Sequence, residues 1–193
     1  MPGIRAVAVF CGSYPGDDPA FLTAAADLGR GLAAAGLRLV FGGGSIGLMG
    51  ALADAALAAG GRVTGVIPEF LTHREVAHAG ITEMIVTDSM HARKRRMFEL
   101  ADAFVALPGG LGTLDETAEI ITWRQLGLHD KPVLLCDVLG SAQPLLHLIE
   151  TAIDRGFAQA SALELFEIMP GVTATLERLL LVPAPARGEA SRL

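Results

Sequence analysis

The 193-residue sequence predicts a doubly wound α/β fold, a parallel sheet covered by helices on both faces. Short, continuously apolar runs recur along the chain, as strands buried on both faces require. The segments between them repeat apolar residues at three and four, the helical period. Three of the runs end in glycine-rich turns, which places those turns on the edge where such folds bind ligands.

The first run, residues 6–10 (AVAVF), is followed by the turn CGSYPG, and residues 20–35 carry helical spacing. Residues 37–41 return to strand character and enter FGGGSIGLMG, with a helix over 48–59. Strands follow over 62–67 and 83–87. The helix over 90–101 opens at Ser89, a good N-cap, with Met90, Met97 and Leu100 marking its buried face. Arg93, Lys94, Arg95 and Arg96 are consecutive, so they point in four directions, some beside that face and some to water. A strand over 103–107 leads into PGGLGT and a helix over 114–126; a strand over 132–136 and a helix over 144–155 come next. A strand over 165–169 and a helix over 172–181 complete one nucleotide-binding domain, residues 1–182. Residues 183–193 read as a flexible tail, from their Pro, Ala and charge content.

With 51% hydrophobic residues the chain can bury a sizeable core without disulfides or metal. Fifteen basic against 21 acidic residues give a net charge of -6, so neither nucleic acid nor membrane is expected as a partner. Cys11 and Cys136 end apolar runs without CxxC spacing, a reduced pair in a cytoplasmic protein. Neither a signal peptide nor a run of roughly 18 apolar residues is evident. His73, His78, His91, His129 and His147 lack the HExxH spacing, so no metal site is expected. Ser45 sits in G-x-S-x-G letters, Gly43 to Gly47, but no acid and histidine are assigned to it in the order that a hydrolase triad needs.

Glycine after a strand lets peptide N–H groups approach an anion at the following helix start, and phosphate is the natural guest. None of the three turns is a Walker A loop or a GxGxxG followed by the acid of a dinucleotide site. In an acidic chain, the arginines of the 90–101 helix suit an anionic substrate. Glu116 stands three residues after Thr113, the T-x-x-E capping-box pattern, and Glu119 and Thr122 continue its face. Glu116 is therefore either a helix cap or a catalytic carboxylate on local evidence.

GGGSIGLMG (42–50), GVIPEFL with REVAH, SMHARK and PGGLGTLDE (108–116) together resemble the Lonely Guy family of cytokinin riboside 5'-monophosphate phosphoribohydrolases, over nearly the whole chain to about residue 170. The resemblance implies a Rossmann-like homodimer with sites near the subunit contact. It also implies hydrolysis, without a cofactor, of the bond between an adenine-type base and ribose 5'-monophosphate. Its catalytic pair maps onto Arg93 and Glu116. Substrate contacts map onto Glu75, Lys94, the loop Gly109, Gly110, Leu111, Gly112, Thr113, Leu114 and Asp115, and Thr122; Met90 and, in the second glycine turn, Gly43 and Ser45 are further candidate substrate-binding residues. The 5'-phosphate is expected on the N–H groups of Gly110, Gly112 and Thr113, with Arg93 holding ribose or phosphate and keeping Glu116 ionised. Glu116 would stabilise the sugar cation, orient water, or both. Asp115, Thr117, Ala118 and Arg124 differ from the family's usual residues, which leaves prenylated or plain adenine open. Proteins of this kind are often labelled lysine decarboxylases, but neither Lys94 nor Lys131 is placed to form a Schiff base. The alternative is a non-catalytic nucleotide-binding or carrier protein with the same phosphate cradle.

Overall fold

A computed structural model of the chain describes residues 3–72 and 76–183. It contains the strands β1 (Ala6–Phe10), β2 (Arg38–Phe41), β3 (Val63–Pro68), β4 (Glu83–Thr87), β5 (Ala103–Ala106), β6 (Val133–Asp137) and β7 (Glu167–Pro170). The helices are α1 (Pro19–Ala34), α2 (Gly47–Ala58), α3 (Met90–Leu100), α4 (Leu111–Gln125), α5 (Gln143–Asp154) and α6 (Gly171–Leu181). Short 3-10 turns stand at Glu69–Leu71 and Ala160–Glu164.

The seven strands form one sheet in the order β4-β3-β2-β1-β5-β6-β7, and every pairing is parallel. The chain winds outward from β1 to β4, returns to the other side of β1, and winds outward again. β1 and β5 are thus neighbours whose following connections depart in opposite directions, the topological switch point of the sheet.

Period two along the strands divides the core into two layers. Val7 and Val9 of β1 face α1, α2 and α6, where Leu28, Leu32, Leu52 and Leu179 are fully buried. Ala6, Ala8 and Phe10 face the other way, onto Met97 and Phe98 of α3 and Ile120 and Ile121 of α4. Among the described residues no helix is long and apolar enough to cross a membrane.

The element expected over 114–126 begins three residues earlier, at Leu111, and its N-cap is Gly110, extended at φ -93° and ψ -156°. The other expected boundaries hold to within two residues. Of the tail expected over 183–193, Pro183 forms an isolated antiparallel bridge with Gly3, and the remainder lies outside the described residues.

Candidate active site

At the switch point the turns after β1 and β5 touch. The Gly12 N–H donates to the Pro108 carbonyl at 3.0 Å, and a Cβ on Gly12 would sit 3.2 Å from Gly109 Cα. These turns enclose a cavity of about 460 Å³. It is lined by residues 108–113, by residues 11–16 with Phe21, Leu48 and Met49, and by Arg93 and Glu116.

Four helices border this cavity, and their N-termini differ in what satisfies their free N–H groups. Asp18 caps α1, accepting from Ala20 N at 2.8 Å, and Ser89 caps α3, accepting from Ala92 N at 3.1 Å. The start of α2 is taken by the Gly12 carbonyl, which accepts from Leu48 N at 3.1 Å and Met49 N at 3.3 Å. Helix α4 has no side-chain cap, and its first residues line the cavity. A Cβ added to Gly110 or Gly112 meets no atom within 4 Å, so both peptides border open space. The N–H groups of Leu111, Gly112 and Thr113, with the positive end of the helix dipole, give α4 a start whose chemistry suits an anion.

The second glycine turn serves a different purpose from the expected anion cradle. A Cβ on Gly42 would lie 2.1 Å from Arg93 Nη2, so Gly42 is the gap through which that guanidinium passes. Gly47, at φ +60°, packs against the backbone of Ser13, whose carbonyl carbon would be 2.3 Å from an added Cβ. Gly43 and Ser45 do not line the cavity: the Ser45 hydroxyl donates to the Val76 carbonyl at 2.7 Å, and the Gly43 carbonyl accepts from His78 N at 2.9 Å.

Arg93 falls on the buried face of α3, in register with Met90, Met97 and Leu100, and is 6% exposed. Its Nε donates to the Val66 carbonyl of β3 at 3.1 Å, and Nη1 lies 3.8 Å from Met90 Sδ. Its Nη2 stands 3.6 Å from Glu116 Oε1, and Glu116 is 7% exposed. The capping-box reading of Glu116 is corrected here. With Gly110 as N-cap, Thr113 is the third helical residue and Glu116 the sixth, a full turn too deep to reach the N-cap N–H. The Thr113 carbonyl instead accepts the Thr117 hydroxyl at 2.7 Å, inside the helix. Glu116 presents its carboxylate to Arg93 at the cavity wall.

Lys94 turns away from the cavity, with Nζ at 3.1 Å from both Asp115 and Glu119 of α4. Burial opposes its charge, but hydrogen bonds and attraction from Glu119 and Asp115 prevail and raise its pKa. It acts as a strut fixing α3 to α4, and hence Arg93 to Glu116. Thr122 is exposed, its hydroxyl bonded back to the Ala118 carbonyl at 2.8 Å, and Leu114 is exposed outside the cavity lining. Gly109, Gly110, Leu111, Gly112 and Thr113 all line the cavity, whereas Met90 reaches it only through Arg93. Glu75 lies outside the described residues.

This arrangement can be set beside known proteins. A cytokinin riboside 5'-monophosphate phosphoribohydrolase of Rhodococcoides fascians is 50% identical over 157 residues, 81% of this chain and 79% of that protein. One from Arabidopsis thaliana is 43% identical over 175 residues, 91% of this chain and 81% of that protein. The chain belongs to the cytokinin riboside 5'-monophosphate phosphoribohydrolase family. Among solved structures, the molybdenum cofactor carrier protein of Chlamydomonas reinhardtii superposes with a TM-score of 0.68 at 25% identity, covering 92% of this chain and 99% of that one.

The family profile that matches residues 49–179 is described as "Possible lysine decarboxylase". The two lysines of this family member give that description no chemistry at the cavity. Lys94 is paired as above. Lys131 precedes β6, at the sheet edge opposite the cavity, where its buried Nζ donates to the Phe98 carbonyl at 2.7 Å and lies 3.8 Å from the Phe98 ring centroid. Burial lowers its pKa to about 8, the shift a Schiff-base lysine needs, yet its ammonium is committed to the end of α3.

Sequence reasoning reached Arg93, Glu116 and the α4 turn. It missed Gly42 as the gap for Arg93 and the apolar wall of Phe21, Leu48 and Met49. Nothing in the run Gly42, Gly43, Gly44 distinguishes the member that a distant arginine crosses.

Proposed function

We propose that this protein hydrolyses the N-glycosidic bond of adenine-type nucleoside 5'-monophosphates, cytokinin riboside 5'-monophosphates among them, to free base and ribose 5-phosphate. One observation carries the assignment: a buried Arg93 and Glu116 pair opens on a cavity beside helix α4, whose start, among the described residues, has neither a side-chain cap nor a carbonyl over it.

The 5'-phosphate sits on the N–H groups of Leu111, Gly112 and Thr113. Glu116 lies four residues past Gly112, a rise of roughly 6 Å along the helix, so the carboxylate reaches a sugar whose phosphate is held there. When the C1'–N9 bond breaks, its electron pair leaves with the base and positive charge builds on the ribose ring. A fixed carboxylate next to that charge acts mainly on the transition state. Water adds its oxygen to C1', one proton goes to the leaving base, and ribose 5-phosphate remains. Arg93 positions Glu116 and can reach the ribose hydroxyls or the phosphate. Anchoring the phosphate holds the scissile bond at the carboxylate.

The same proposal takes the protein to be cytoplasmic and a homodimer. Leu111 and Leu114 at the start of α4 and Leu126 at its end are exposed, and a second copy on that helix would bury them. Glu75, Met90, Lys94 and Thr122 remain assigned to the substrate's surroundings by family likeness, directly or through the helix pair that carries Arg93 and Glu116.

Incubation of the protein with AMP, N6-isopentenyladenosine 5'-monophosphate and adenosine tests the function by chromatography of the released base. Release from the monophosphates and not from adenosine is expected. Likeness to a molybdenum cofactor carrier supports a second reading, a binding protein without turnover. Bound nucleotide with no released base would favour it.

A further inference from the structure

We propose that Tyr14 closes over the base of the bound nucleotide and sets how tightly the base is held. The inference rests on the nucleotide function above. With phosphate on the α4 start and ribose at Glu116, the base must occupy the remaining lining, residues 11–16 with Phe21, Leu48 and Met49. That part of the lining is apolar apart from Ser13 and the Tyr14 hydroxyl. Tyr14 borders the cavity, yet is 81% exposed, the most exposed aromatic ring there. Its hydroxyl makes no hydrogen bond to a described side chain or backbone group that would hold the ring out in water.

The backbone that carries Tyr14 is not free to move. Gly47 packs on it so closely that an added Cβ would lie 2.5 Å from Tyr14 N, and the Gly12 carbonyl is tied to the start of α2. Two residues on, Gly16 is packed against Phe21, at 2.6 Å from an added Cβ to the ring edge. The loop is therefore closely packed on either side of Tyr14, and the two side-chain torsions of Tyr14 are the simplest to adjust. Rotation onto a purine buries both rings and leaves the hydroxyl at the rim in water, at little conformational cost. Phe21, Leu48 and Met49 line the cavity with Tyr14 and give the base further apolar contact. Because the ring meets the base and neither the phosphate nor C1', it holds ground state and transition state alike.

Kinetics and spectroscopy test this separately from the catalytic assignment. Stacking on one base changes affinity by about five- to 150-fold, so Tyr14→Ala is expected to raise KM for AMP roughly tenfold or more with kcat changed less than threefold. Tyr14→Phe is expected to keep the wild-type KM. An unchanged KM in Tyr14→Ala, or a loss confined to kcat, overturns the proposal while base release by the wild type keeps the function intact. Tyr14 is the sole tyrosine of the chain, so 3-fluorotyrosine labelling yields one fluorine resonance. Formycin 5'-monophosphate, whose base is carbon-linked and not released, is expected to shift that resonance at concentrations that inhibit AMP cleavage, and ribose 5-phosphate is expected to leave it in place. Equal shifts with both ligands, or none with either, overturn the proposal.

Discussion

Replacing Gly42 with alanine tests whether the proposed catalytic pair, Arg93 and Glu116, is held by the space that glycine leaves. The added Cβ would lie 2.1 Å from Arg93 Nη2, 3.3 Å from Cζ and 3.1 Å from Met49 Sδ. Ordinary contact begins near 3.4 Å, so the guanidinium must retreat by about 1.3 Å. Its Nε is anchored on the Val66 carbonyl, so it cannot slide as a body and has to rotate, which destroys the 3.6 Å approach to Glu116. Overpacking of this kind costs about 1–3 kcal/mol, a fall in Tm of several degrees for a chain of this length. Misplacing a catalytic group by about 1 Å costs on the order of 10²-fold in rate. Gly42→Ala should therefore fold, melt somewhat lower, and lose about 10²-fold in kcat/KM for base release from AMP. A folded Gly42→Ala protein with wild-type kcat/KM would show that Arg93 does not act from the position described.

Gly112→Ala should do the opposite to stability. Its Cβ meets no protein atom within 4 Å, and Gly to Ala in a helix gains about 0.5–1 kcal/mol. That Cβ leans toward the helix N-terminus, the proposed phosphate seat, so a raised KM for AMP with an equal or higher Tm is expected from kinetics and melting. Lys131 makes stability depend on pH. Its folded pKa is lowered to about 8 from 10.5, so between those values the unfolded chain binds more protons and stability rises with pH. The gain approaches about 3 kcal/mol across that window. Denaturant unfolding of the wild type and Lys131→Met at pH 8 and pH 10 should show their difference shifting in the wild type's favour as pH rises. Buried His129, lowered chiefly by desolvation, gives a slope of the same sign at acid pH: stability is lost as pH falls below about 6.5, and His129→Gln should flatten that loss in acid melts.

The sheet is legible because its inner strands β1, β2, β3, β5 and β6 are largely buried on both faces and its helices keep their spacing, so most elements show without tertiary information. Helix α4 shows where that legibility stops. The T-x-x-E letters promise a cap at Thr113, but Gly110 starts the helix one turn earlier, and only the empty space in front of Gly110 and Gly112 explains why no side chain covers its N–H groups. Arg93 was visible as one of four consecutive cations. That it alone is drawn inside follows from its register with Met90 and Met97 and from the Val66 carbonyl, a partner 27 residues away. The turn after β1 reads as one of three glycine-rich anion turns, whereas the carbonyl of its Gly12 closes the start of α2. Those facts depend on which loops meet at the switch point, and strand order is not written in any one motif.

The most direct test of the account is Glu116→Gln. The sixth residue of α4 makes no cap hydrogen bond, so the near-isosteric amide leaves the helix cap in place and removes the negative charge beside Arg93. Base release from AMP and the melting curve are measured on the same preparation. The expected result is a folded protein that has lost 10²-fold or more of its turnover. A folded Glu116→Gln protein that still releases base within a few-fold of the wild-type rate would contradict it.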